Sequence, residues 1–177
     1  ALSDEVFVRP AVEVTLETDN PALDSDDNLV LRAAELLRDE TNTSAGAHIV
    51  LVKRIPVAAG LGGGSADAAA ALVALSRLWD LHLTEARMRE IGAVLGSDVP
   101  FFLQSNGTAL ATGRGELIEP IDPAPSGWVI VAVPDVKRPE PKTASMYGKL
   151  DPALFTDGQA TDRWGRVLAG GATSWSS

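Results

Sequence analysis

The sequence predicts an α+β fold with sandwich-like layering, in which helices and strands alternate irregularly along the chain. Three observations carry that prediction. Short alternating or β-branched runs stand at Val6 to Arg9, Val12 to Glu17 and Ala47 to Arg54. Helical periodicity marks three stretches, beginning near Asp27, Ser65 and Glu85. A run of glycines joins the third strand directly to the second helix.

The two opening strands, separated by Pro10 and followed by the turn Asp19-Asn20-Pro21, are expected to form a hairpin or meander. A helix capped by Asp26 or Asp27 should then run to about Arg38, because Leu29, Ala33, Leu36 and Leu37 recur on one face with Arg32, Glu35 and Arg38 opposite. The polar stretch Asp39 to Gly46 reads as a loop. The strand that follows, AHIVLVKR, is apolar enough to be central in its sheet.

Beyond the glycine turn a helix is expected from Ser65 to Leu81, with Ala68, Leu72, Leu75 and Trp79 on its apolar stripe. Its partner helix should span Glu85 to Leu95, with Thr84 as N-cap and Gly96 as a left-handed stop. A short apolar turn around Phe101 and Phe102, a strand at Thr108 to Thr112, the turn Gly113-Arg114-Gly115 and a strand at Trp128 to Val133 come next. Pro134, Pro139 and Pro141 then exclude a helix.

Composition narrows the function. Of 177 residues, 45% are hydrophobic and 22% charged, which is ordinary for a globular protein, and no apolar run reaches the roughly 18 to 20 residues of a membrane span. The first residues have no basic start or apolar leader, so the expected compartment is the cytoplasm. The chain has no cysteine and only two histidines, His48 and His82, which argues against a transition-metal site but is compatible with magnesium. With 24 acidic against 15 basic residues, the formal charge of -9 disfavours nucleic acid and anionic lipid as partners. A small phosphorylated ligand is still allowed, since backbone N–H groups and a helix N-terminus bind phosphate without a basic side chain.

The run Pro56-Val57-Ala58-Ala59-Gly60-Leu61-Gly62-Gly63-Gly64-Ser65-Ala66 fits such a ligand. Glycines accept positive φ and lack Cβ, so successive N–H groups can converge on phosphate oxygens while the helix dipole adds about half a positive charge. The plainer reading is a tight turn with Ser65 as helix cap. Two familiar phosphate loops do not fit. No Gly-Lys-Ser/Thr follows, which excludes the Walker A pattern. The dinucleotide fingerprint has Ser65 at its third glycine and its acid, Asp80, at a helix end.

The pattern Pro56-x-x-x-Gly60-Leu61-Gly62-Gly63-Gly64-Ser65-Ala66 does resemble the second signature of the GHMP small-molecule kinases. It is followed in order by Leu95-Gly96-Ser97-Asp98-Val99-Pro100-Phe101-Phe102 and by Gly113-Arg114-Gly115-Glu116, and preceded by Asp27-Asn28-Leu29-Val30-x-Arg32-Ala33-Ala34. Together these are similar to the branch of the family that acts on a diphosphocytidyl alcohol, over about Val6 to Tyr147.

The resemblance implies a two-domain GHMP fold and transfer of the γ-phosphoryl group of ATP, with Mg2+, to the 2-hydroxyl of 4-diphosphocytidyl-2-C-methyl-D-erythritol, a step of the non-mevalonate isoprenoid route. ATP phosphates would be held by Pro56, Ala59, Gly60, Leu61, Gly62, Gly63, Gly64, Ser65 and Ala66, with the Ser65 hydroxyl near the phosphates or the magnesium ion. Asp98, which taken alone would cap the Pro100 to Leu103 turn, matches the catalytic carboxylate of the family. Thr143 and Tyr147 resemble the stretch that holds the cytidine; taken alone they are a helix start and one packed tyrosine. Lys53 and Arg54 could approach a phosphate, although strand-end cations are usually solvated, and Asp67 reads as compensation of the helix dipole.

Two further family features have no counterpart here: an opening Lys-bearing strand with a Gly-Tyr-His segment, and a glycine- and serine-rich third signature. The resemblance therefore implies an internal fragment. Residues 1–106 would hold most of the ATP-binding domain without its first strands, residues 107–169 would begin the second domain, and residues 170–177 would form a disordered tail. Little or no kinase activity is expected of such a fragment alone. The rival expectations are a GHMP kinase for homoserine or mevalonate, which would favour alcohols lacking cytidine, and a non-catalytic nucleotide-binding module.

Overall fold

The computed structural model describes residues 2–123, 127–133, 148–151, 153 and 155–169. The chain divides into two units, Ala1–Pro120 and Ile121–Ser177.

The first unit opens with strands β1 (Glu5–Ala11) and β2 (Val14–Thr18), but these do not pair as a hairpin. Strand β3 (Gly46–Val52) lies between them, antiparallel to β1 with Glu5 opposite Val52, and parallel to β2 with Val14 opposite Ala47. β3 is thus central, as its apolar run predicts. Pro10 lies inside β1, at an edge of the described sheet, where a missing N–H costs no ladder bond.

Helix α1 (Leu29–Thr41) makes the crossover from β2 to β3. Its cap is Asn28, not Asp26 or Asp27: Asn28 Oδ1 accepts the Val30 N–H at 2.9 Å while Nδ2 donates to the Leu23 carbonyl. The helix extends three residues past Arg38 and stops at Asn42, whose φ of 52° is left-handed.

Helix α2 (Gly63–Leu78) starts earlier and ends earlier than its apolar stripe suggests. Gly62, at φ 68°, is its N-cap, so Ser65 is the third helical residue and does not cap. At the far end the Leu81 N–H reaches back to the Ser76 carbonyl through a left-handed Asp80, the closed turn that terminates many helices. Helix α3 (Glu85–Leu95) has the bounds and the Thr84 cap that its sequence predicts, with Thr84 Oγ1 accepting the Arg87 N–H at 3.2 Å. Gly96 is extended (φ 177°), so the helix ends without a left-handed residue.

Helices α1 and α2 pack on the sheet, α1 against β2 and α2 against β1, and α3 packs on these two helices. Ala47, Ile49 and Leu51 alternate inward from β3 and share one buried core with Val30, Ala33 and Leu37 of α1, Ala68, Leu72 and Leu75 of α2, and Ile91 of α3. This is the two-layer arrangement that buries an apolar stripe per helix and one face of a sheet. The alanines of α2 have no side chain beyond Cβ and let its axis approach the sheet closely. Trp79 closes the far end by donating its indole N–H to the Gly46 carbonyl at 3.2 Å.

After the one-turn helix α4 (Val99–Phe102), strands β4 (Ala109–Thr112) and β5 (Leu117–Pro120) form an antiparallel hairpin around Gly113 to Glu116. In the second unit the described residues include helix α5 (Gln159–Ala169), whose Gln159 N–H is capped by Asp157. The strand expected at 128–133 is not formed: Trp128, Val129 and Ile130 are almost fully exposed, and an apolar run without a neighbouring edge has no ladder to join. Among the described residues no helix is long and apolar enough to cross a membrane.

Candidate functional site

Between β3 and α2 the chain makes a loop whose backbone no ordinary residue sequence could follow. Gly60 and Gly62 have φ of 80° and 68°, and Ala58 also sits in the left-handed region at 56°. An alanine held there stores strain of order 1 kcal/mol, which the surrounding structure must offset. The loop delivers the chain to Gly63, so that the N–H groups of Gly63, Gly64 and Ser65, which α2 itself cannot satisfy, stand at the positive end of its dipole. The first intrahelical bond is Ala66 N–H to the Gly62 carbonyl, at 2.9 Å. Among the described residues the Ser65 hydroxyl has no protein hydrogen-bond partner and is free to serve a ligand.

Asp98 comes to the same end of the helical layer. It precedes α4, but its side chain makes no capping bond, and it is exposed. The cap reading therefore fails and leaves the carboxylate without a protein partner among the described residues. α4 in turn reaches the loop through Phe102, whose Cζ would lie 2.9 Å from a Cβ at Gly62. From the other side the hairpin turn arrives: Gly115, at φ 111°, has room for a Cβ 3.8 Å from Asp98 Oδ1. That turn is fixed by Glu116, which accepts the Arg114 N–H at 2.7 Å. Its own backbone N–H, the Arg114 N–H and the Arg114 charge hold the Glu116 carboxyl below its ordinary value. Three motifs separated in sequence thus meet around Asp98 and the start of α2.

Sequence reasoning missed the charged group beneath the loop. Lys53 is not solvated: its Nζ donates to Asp4 Oδ2 and, at 2.7 Å, to Asp67 Oδ2, with the three side chains 7, 4 and 5% exposed. Asp67 is accordingly more than dipole compensation. Arg54, by contrast, is exposed as expected and pairs with Glu5 at 3.0 Å. Burial pushes Asp67 up to about 6, with Lys53 pulling against it and the Asp4 charge adding to it. Burial raises Asp4 as well, but Lys53 and the N–H groups of Ile55 and Arg54 more than offset that and leave it below its ordinary value. Gln104, just past α4, buries both amide atoms without a hydrogen-bond partner among the described residues.

Among the described residues no group of three His, Asp or Glu side chains could hold a metal ion. Magnesium makes a smaller demand, one or two protein oxygens beside phosphate and water, and the unpartnered Ser65 hydroxyl meets it. Thr143 and Tyr147 lie outside the described residues.

The comparisons with known proteins agree with this geometry. Residues 28–106 match the GHMP kinases N terminal domain. A 4-diphosphocytidyl-2-C-methyl-D-erythritol kinase of Dehalococcoides mccartyi is 36% identical over the whole chain, which spans 62% of that relative. The enzyme of the same name from Bacillus cereus is 50% identical over 127 residues, 72% of this chain and 43% of the relative. A crystal structure of 4-(cytidine 5'-diphospho)-2C-methyl-D-erythritol kinase superposes with a TM-score of 0.66 at 32% identity, covering 97% of this chain and 60% of that one. The chain thus spans about three fifths or less of the length of the relatives it matches. In its N-terminal domain match, its relatives and its fold, the chain is similar to the GHMP kinases.

Proposed function

We propose that the loop from Pro56 to Ala66 binds the phosphates of ATP and that Asp98 serves the acceptor hydroxyl in phosphoryl transfer to 4-diphosphocytidyl-2-C-methyl-D-erythritol. The observation that carries this reading is the meeting of an unpartnered, exposed carboxylate with a glycine loop at a helix N-terminus, joined through Phe102 and Gly62. The names of the relatives support the choice of acceptor.

In this reading backbone N–H groups of the loop and of Gly63 to Ser65 hold the phosphates, and no basic side chain is needed. Asp98 accepts or orients the hydroxyl proton. The hydroxyl oxygen then bonds to the γ-phosphorus as the bond from that phosphorus to the β,γ-bridging oxygen breaks, and ADP leaves. The Ser65 hydroxyl would help hold a magnesium ion, which would supply charge neutralisation when bound. Thr143 and Tyr147 are assigned to the cytidine on their motif.

Calorimetric titration with ATP, alone and with magnesium, tests the loop. Binding is expected, and its loss in Gly62→Ala; a chain that binds no ATP overturns the assignment. The acceptor is tested by comparing transfer to the diphosphocytidyl alcohol, homoserine and mevalonate. Preference for an alcohol without cytidine would replace this substrate by another.

A further inference from the structure

Under the phosphate loop, one ammonium stands between two carboxylates that belong to different parts of the chain. Asp4 precedes β1 and uses both oxygens: Oδ2 accepts from Lys53 Nζ, while Oδ1 accepts the backbone N–H groups of Arg54 at 2.6 Å and Ile55 at 2.7 Å. It therefore grips the chain where it leaves β3. Lys53, at that same exit, reaches into α2 and bonds Asp67, one turn past the helix start. Its Nζ lies 3.0 Å from the place a Cβ would take on Gly63, the first residue of α2. The exit of the loop's first foot and the entry of its second are thus tied through a single buried cation.

Stability is a poor reason for such a network. Desolvating three charges costs several kcal/mol per ion before pairing offsets it, and a buried pair can often be exchanged for apolar side chains without loss. What the apolar exchange cannot reproduce is direction: each bond fixes one atom against another. Two of the three Lys53 N–H groups are already taken by the Asp4 and Asp67 carboxylates, and the side chain is buried.

We propose that Asp4, Lys53 and Asp67 are positioning residues of the phosphate loop: they set the separation of the β3 exit and the α2 start so that the intervening N–H groups converge, and touch no ligand themselves. The proposal rests on the phosphate-loop reading above for its function, but its geometric part is testable without nucleotide.

The test compares the whole chain with Lys53→Met, Asp67→Asn and the double variant Lys53→Met with Asp67→Leu, which leaves no unpaired charge on α2 and is the variant to rely on if Lys53→Met does not fold. Amide exchange is followed by NMR at Ala59 and Ala66, whose N–H groups close the loop on Pro56 and Gly62, and at α1, which reports global unfolding. Exchange at Ala59 and Ala66 is expected to rise about tenfold beyond any change at α1, the equivalent of losing one hydrogen bond to a charged group. The double variant, in which Asp4 keeps its two backbone N–H donors but loses its ammonium, should show the fast loop beyond any change at α1 and bind ATP about tenfold more weakly. Loop exchange that merely follows α1, or wild-type loop protection in the double variant, overturns the proposal. If the wild-type chain binds no ATP, the phosphate reading fails while the exchange data still decide the positioning role.

Discussion

Phe102 closes on the backbone of Gly62. Its Cζ and Cε2 stand 2.9 and 3.1 Å from where a Cβ would be, and Gly62 is at φ +68°. The ring is also held edge-on by Phe101, with centroids 5.2 Å apart at 84°. A side chain at Gly62 therefore meets two obstacles, a left-handed backbone and an aromatic ring that has a neighbour of its own. Gly62→Ala should cost about 1–3 kcal/mol in denaturant unfolding. Adding Phe102→Ala should remove the steric part and leave the backbone part, so the double-mutant cycle should show coupling. Strictly additive losses would mean that the ring simply moves aside.

Asp98 is exposed and makes no bond to protein among the described residues, so it contributes little to holding the fold. Asp98→Asn should leave the denaturation midpoint nearly unchanged, within about 0.5 kcal/mol, and leave ATP affinity intact, while phosphoryl transfer by any form of the protein carrying this site is lost. Loss of ATP affinity together with transfer would assign the carboxylate to the nucleotide and not to the acceptor.

Where local chemistry decides, the sequence was readable. Thr84 and the Glu85–Leu95 helix follow from a hydroxyl before an apolar period, and β3 from its alternating apolar run. Strand pairing is a choice among distant partners, which no local pattern carries, and so β3 displaced the expected hairpin by lying between β1 and β2. The buried charges were within reach. Lys53 continues the inward alternation of Ala47, Ile49 and Leu51, and Asp67 stands four residues before Ala71 and eight before Leu75, on the buried stripe of α2. A lysine and an aspartate at core positions demand a partner, and each supplies it for the other. Asp4, by contrast, carries no such period, and only the fold brings it there.

Gln104 gives a prediction of opposite sign. Its buried amide has neither donor nor acceptor satisfied, at a cost of about 1–3 kcal/mol relative to a bonded group. Gln104→Met preserves length and removes both polar atoms, and should raise stability by about 1 kcal/mol in chemical denaturation. A clear loss instead would show that the amide has a partner, such as a bound water, and identify it as part of the site.

The pH dependence of stability should bend near the ordinary aspartate value of 3.8 because Asp4 and Asp67 shift in opposite directions. Asp67, raised to about 6 chiefly by burial, keeps its proton in the folded chain over a range where the unfolded chain has lost it. Unfolding then releases a proton, so its contribution falls as pH rises from about 4 to about 6 and is level above. Asp4 is lowered, and its contribution, complete above 3.8, is lost as pH falls through the folded value. Melting temperatures followed by circular dichroism from pH 4.5 to 7 isolate the first effect, since Asp4 is ionised throughout. Wild type should lose stability across that window as Asp67 ionises beside Asp4 with only Lys53 to compensate both, and Asp67→Asn should flatten the slope. An equal slope in the variant would move the titration to another group and leave the Lys53 network ionised in all three members at pH 5.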